Sequence, residues 1–163
     1  MSEGGKSGKA TDEGYRQQRR LVRQCVLSIL YQSETVDDWQ WSARQAEDFW
    51  RHLPEFSESE KDRIAAPERR KNRELVEALA GGVLRERENL DKTIMAAARN
   101  WSISRMSIVD RNILRLAVYE IKHCPDIPSV ASLNEAIELA RTFGDKDSPR
   151  FVNGILDHVL KLG

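Results

Sequence analysis

Apolar residues recur along most of this chain at the three- and four-residue spacing of amphipathic helices. Val22, Cys25, Val26, Ile29 and Leu30 mark one helical face. Thr35 and Asp38 fit a cap opening a second helix that carries Trp39, Ala43, Ala46, Phe49, Trp50 and Leu53, and Pro54 ends it. The stretch 55–71 is strongly charged, contains Pro67 and reads as a loop or broken turn. Spacing resumes at Leu75, Val76, Leu79, Ala80, Val83 and Leu84. Within it, Gly81 and Gly82 each cost about 1 kcal/mol relative to alanine, so either close packing or a kink is expected there. Leu90, Ile94, Ala97 and Ala98 continue into another short helix ending near Trp101.

The last third is the clearest. Ser107 and Asp110 cap a helix bearing Ile113, Leu114, Leu116, Ala117, Val118 and Ile121, and Pro125 and Pro128 break the chain after it. Ser132 and Glu135 fit the cap of a helix buried through Leu133, Ala136, Ile137, Ala140 and Phe143, with Gly144 as its stop. Ser148 followed by Pro149 is a helix start, and Phe151, Val152, Ile155, Leu156 and Val159 carry that helix onward. No segment alternates with period two and no hairpin signal is present, so the expectation is an all-α domain of about six or seven helices. Glycine and lysine near the start suggest a flexible tail over 1–14, with the domain spanning 15–163.

Composition narrows the function classes. The 26 basic and 26 acidic side chains cancel, so nucleic acid would have to be held by a local patch rather than by bulk charge. Such a patch exists near the start, where Lys6, Lys9, Arg16, Arg19, Arg20 and Arg23 outnumber Asp12 and Glu13. Cys25 and Cys124 form no CxxC pair and sit among apolar or helical residues, which fits small buried hydrophobes in a reducing compartment. No apolar leader segment and no membrane-length apolar run are present, so the cytoplasm is expected.

Candidate chemistry is sparse. His52, His123 and His158 lack ligand spacing and fall near helix C-termini, where the helix dipole favours them. There is no phosphate-binding glycine loop and no nucleophile elbow. Asp37-Asp38 and Asp145-Asp147 lie near helix starts, where negative charge is stabilising anyway. Neither an enzyme, a metal site nor a cofactor is indicated. Trp39, Trp50 and Trp101 fall on apolar faces and read as core, whereas Trp41 lies off that face and is expected to be exposed. Arg16, Arg20 and Arg23 share one helix face with Arg19 beside them, opposite much of the apolar stripe. That row is either a solvated face or a ridge whose guanidinium forks suit the phosphates of a single strand.

The stretch from Val109 to Lys161 contains DRNILRLAVYE, the PDIP turn, NEAIELA and a closing FG-x-x-DS-x-x-FVNGILD. These pieces closely resemble the C-terminal half of the NusB family. Upstream, RRLVRQCVLSILYQ resembles that family's arginine-rich opening helix, and LVEALAGGVLRERENLDKTI with NWS is similar to its middle. The likeness runs from about Arg16 to Lys161 and is weakest between Glu55 and Arg70.

The resemblance implies a compact helical fold of two sub-bundles that uses no cofactor. It also implies binding to boxA RNA, a short single-stranded element of ribosomal RNA leader transcripts, jointly with NusE, a small-subunit ribosomal protein. The pair then acts on RNA polymerase with other Nus factors to suppress termination. By the same resemblance, Arg16, Arg19, Arg20 and Arg23 contact RNA, and the region before the last helix contributes Phe143, Asp147, Arg150 and Phe151. Phe143 and Phe151 have a plain core reading as well, and Asp147 is either a helix cap or an acceptor for a base edge. Asp110 matches an acidic position near the RNA and partner surface. Leu21 interrupts a denser arginine run, Val22 replaces a small alanine, and Pro149 replaces a polar or basic residue, so the basic patch is thinner here. Two rival roles are a module related to the RNA-targeting domains of ribosomal RNA methyltransferases and a helical dimerisation scaffold without RNA binding.

Overall fold

A computed structural model describes the backbone of residues 4–53 and 70–163, and the side chains of 13–53 and 70–163. These residues form six α-helices and one 3-10 turn, with no strand among them. The helices are α1 (Gly4–Thr35), α2 (Ala43–Arg51), α3 (Arg70–Ala97), α4 (Ile108–His123), α5 (Ser129–Phe143) and α6 (Ser148–Leu162). The 3-10 turn, Ile103–Arg105, links α3 to α4. The all-α expectation holds. Leu90, Ile94 and Ala97 belong to the same helix as Leu75 rather than to the separate short one expected, which gives six helices among the described residues.

Helix α4 is the centre of the fold. It packs on α1 and α3 on one side and on α5 and α6 on the other, so the two sub-bundles share it. Nine of its sixteen residues are buried, from Asp110 to Glu120. Its start is the expected one: the Ser107 hydroxyl accepts a hydrogen bond from Asp110 N at 3.0 Å.

Several helix boundaries differ from the sequence reading. Thr35 does not open α2; it is the last residue of α1, and its hydroxyl donates to Tyr31 O. Asp37 adopts a left-handed φ of 53°, and Asp38 N and Asp37 N donate back to Ser33 O and Glu34 O. That is a Schellman stop, with aspartate in the place glycine usually takes. The cap of α2 is instead Ser42, whose backbone N–H donates to Gln45 Oε1. Helix α5 starts at Ser129 after Pro128, which leaves Ser132 and Glu135 inside the helix. Helix α1 begins at Gly4, ahead of the boundary expected at 15. The expected loop over 55–71 lies mostly outside the described residues, and Arg70 and Lys71 already belong to α3.

Close packing accounts for Gly81 and Gly82. A Cβ on Gly81 would stand 2.9 Å from Cδ1 of Trp41, and one on Gly82 would overlap the hydroxyl end of Tyr119. The two glycines let α3 approach both the α1–α2 connection and α4. Gly82→Ala is therefore expected to lower stability by about 1–3 kcal/mol, although alanine favours helix, because Tyr119 must shift. Urea unfolding that shows a neutral or stabilising effect would contradict this packing.

Candidate nucleic-acid interface

The arginine row of α1 is not one surface. Arg16 and Arg20 are exposed and Arg19 is half-buried, but Arg23 is only 5% exposed. Arg23 Nε donates to both Glu120 oxygens at 3.0–3.1 Å, and its Nη2 donates to Oε1 at 2.6 Å. Glu120, on α4, is 1% exposed and also lies 3.5 Å from Ser132 Oγ. Burial alone would lower the Arg23 pKa, but the hydrogen bonds and charge of Glu120 outweigh it and raise the value. The expectation that Arg23 faces solvent is corrected. Counting four and seven residues on from Arg23 reaches Leu27 and Leu30, both buried, so the helix geometry turns its root inward.

Arg20 points outward but is not idle. Its Nε and Nη2 donate to Oε2 and Oε1 of Glu135 on α5, each at 3.1 Å. This hydrogen-bonded pair raises the Arg20 pKa, with Glu138 adding to the effect. Leu21 and Val22, which interrupt the arginine run, are both buried, so hydrophobic packing explains the thinner patch.

The second group of expected residues follows α5. Phe143, the last residue of α5, is 45% exposed. It lines a groove of about 550 Å³ with Leu27, Tyr31, Val36, Leu53 and Val109. Asp147 is the exposed residue preceding α6, and its side chain makes no capping hydrogen bond. The first helical residue, Ser148, accepts through its hydroxyl from Asp145 N at 2.9 Å, which closes the turn ahead of α6. Arg150 is exposed, and Phe151 is half-buried against the core. Asp110 is buried in the first turn of α4, and its Oδ1 has no hydrogen-bond partner among the described residues. Phe143 and Phe151 therefore have different surroundings, one at the α1 groove and one beside the α3–α4 connection.

The tryptophan assignments are half reversed. Trp41 is partly buried against Gly81, not exposed, while Trp101 is 53% exposed. Trp101 meets Phe151 edge-to-face, with centroids 5.9 Å apart. Sequence reasoning missed Trp101 as a surface aromatic because it follows the apolar run Ala97-Ala98. The chain leaves α3 at Ala97, so the helical spacing no longer governs position 101. It also missed Tyr15, which is exposed one turn before Arg19 on the same helix face. Among the described residues no group of His, Cys, Asp or Glu comes together as a metal site, and no helix is long and apolar enough to cross a membrane.

The model of the NusB family matches residues 20–161. The chain belongs to the NusB family. A relative named transcription antitermination protein NusB, from Trichlorobacter lovleyi, is 43% identical over 86% of this chain and 89% of its own length. NusB from T. maritima superposes with a TM-score of 0.69 at 33% identity, over 88% of this chain and 90% of that one. A crystal structure of the antitermination factors NusB and NusE in complex with double-stranded RNA contains a chain with the same fold. Its TM-score is 0.63 at 21% identity, covering 90% of this chain and 98% of that chain. Within the NusB family match lie Arg20, Arg23, Asp110 and the whole segment from Phe143 to Phe151, whereas Arg16 and Arg19 precede it.

Proposed function

We propose that this chain is a bacterial transcription antitermination factor of the cytoplasm. In this reading, the domain over 15–163 binds boxA-type single-stranded RNA together with NusE and acts on RNA polymerase with other Nus factors. One observation carries the reading: a family match that runs from residue 20 to 161 and takes in nearly all of the described fold. Arg16, Arg19 and Arg20 supply phosphate contacts from the outer face of α1, with Tyr15 beside them. Phe143, Phe151 and the neighbouring Trp101 offer faces to unpaired bases, while Asp147 and Arg150 provide an acceptor and a donor near the start of α6. Exposed aromatics favour a single strand, because a duplex hides the base faces they would stack on. Arg23 serves this surface from beneath by fixing α1 to α4, and Asp110 is best placed to act where α4 begins.

A net charge of zero leaves few phosphate contacts, so the chain alone binds RNA modestly and with strong salt dependence. A second protein that extends the surface makes its own RNA contact an intramolecular event. The complex with NusE is expected to bind boxA RNA at least about tenfold tighter than this chain alone, a coupling of about 1.4 kcal/mol or more. Linkage requires RNA to tighten the protein–protein contact by the same factor. Titrating labelled RNA with each protein and with the mixture, beside a duplex of equal length, measures this directly. Equal affinities with and without NusE overturn the antitermination reading.

A further inference from the structure

The two arginine–glutamate pairs of α1 differ in permanence. The Arg23–Glu120 pair is sealed in the core, where separating the charges is strongly disfavoured. The Arg20–Glu135 pair lies at the surface, with side chains 46% and 16% exposed. Exposed pairs of this kind are weak and exchangeable. Glu135 nevertheless occupies the Nε–Nη2 edge of Arg20 with both of its oxygens, which is the same two-pronged recognition a guanidinium gives a phosphate. A phosphate arriving at this point of α1 therefore meets a cation whose best edge is already taken by an internal anion.

We propose that Glu135 competes with RNA phosphate for Arg20, so that RNA binding at the α1 ridge requires this pair to open. The inference rests on the RNA-binding reading above and names a residue that tunes it. The competition raises the threshold for every strand that approaches the ridge. A strand held elsewhere, by the aromatic faces near α6, crosses that threshold readily because its phosphate is already placed. A strand held only by charge does not. Glu135 thus acts on specificity more than on maximal affinity. Glu138, one turn along α5, adds negative potential at Arg20 but is itself engaged by Arg141, so it does not occupy the Arg20 edge.

The test is fluorescence anisotropy with a boxA-type RNA and an oligoadenylate of equal length. The proteins compared are wild type, Glu135→Gln, Glu135→Ala, Glu138→Gln, Arg20→Ala and the Arg20→Ala/Glu135→Gln double variant. Both Glu135 variants are expected to bind boxA RNA about threefold tighter, and oligoadenylate at least as much, the size set by the weakness of exposed ion pairs. Glu138→Gln changes affinity less, and Glu135→Gln has no effect once Arg20 is gone. The alanine variant covers the case in which glutamine keeps a hydrogen bond to Arg20, and thermal melting checks that every variant is folded. Wild-type binding with both Glu135 variants unchanged overturns the competition and leaves the RNA reading standing. An equal gain with and without Arg20 also overturns it, since that is a simple loss of repulsion. Absence of binding by every protein removes the RNA reading and the competition with it.

Discussion

Replacing Arg23 by alanine costs the folded state about 3–5 kcal/mol, much of the stability of a domain this size. The loss comes from Glu120, which is left as an uncompensated charge at 1% exposure with, among the described residues, only Ser132 within hydrogen-bonding distance. Glu120→Gln is expected to act in the same direction by leaving the Arg23 guanidinium buried without a counter-charge. A well-packed apolar pair, such as Arg23→Met with Glu120→Leu, recovers most of the loss, because the pair's own desolvation cost disappears with it. Arg20→Ala, at the surface, costs at most about 1 kcal/mol. Urea unfolding of the four variants separates these outcomes. If Arg23→Ala unfolds with the wild-type midpoint, the arginine is not held as described. The contrast also alters how RNA measurements are read. Simultaneous loss of Arg19, Arg20 and Arg23 weakens RNA binding partly by loosening α1, so Arg23 must be left in place when phosphate contacts are counted.

Much of the architecture was legible because apolar spacing and caps agreed with each other. Ser107 with Asp110 at α4, the proline after Ser148 at α6 and the buried stripe of α1 all follow from local chemistry. Where the reading failed, one signal had two uses. A threonine followed three residues later by aspartate looks like a helix start, yet here it closes α1, because Asp37 accepts the left-handed conformation. An arginine in a basic run looks like surface, yet the run of α1 sits on a helix whose buried arc is wide enough to include Leu21, Arg23 and Leu27. The counter-charge that makes this tolerable lies 97 residues away on α4, and no local pattern announces it. The candidate interface was legible in the same uneven way. Arg16 and Arg20 are exposed on α1, where the helical spacing suggested, and Asp147 and Arg150, which the family resemblance implied, are exposed too, while the Arg20–Glu135 pair and the outward turn of Trp101 depend on tertiary packing.

A second charge, the half-buried Glu34, went unread for the same reason, and its removal is the other large expected effect. Glu34, in the last turn of α1, gathers three donors from α4. Arg111 pairs with its Oε1, Asn112 Nδ2 donates to Oε2 at 2.7 Å, and Arg115 Nη1 donates to Oε2 at 3.2 Å. Arg115 also donates to Asp91 of α3 through Nε at 2.7 Å and Nη2 at 3.0 Å, so this one guanidinium of α4 ties α1 and α3 to it. Trp39 covers the cluster, with the Arg87 guanidinium 3.8 Å and that of Arg115 5.4 Å from its ring centre. Glu34→Ala is expected to cost about 3 kcal/mol or more, because Arg111 and the buried Arg115 lose a counter-charge. The pH dependence has a definite sign. Burial pushes the Glu34 carboxyl up, but hydrogen bonds from Arg111 and Asn112 and the charges of Arg115 and Arg111 outweigh it and hold the pKa below its ordinary 4.5. A depressed carboxylate contributes its full stability above the unfolded value and loses it as the pH falls through the lower folded value. The wild type and Glu34→Gln should therefore differ by a constant amount from neutral pH down to about 4.5 and converge below it. Melting both proteins across that range is decisive, and a gap that stays constant into strong acid would show that Glu34 is not the ionised anchor. Because α1 carries Arg16, Arg19 and Arg20, the same anchor holds the ridge in register with Glu135 on α5. Loosening it should lower RNA affinity even though Glu34 touches none of those arginines.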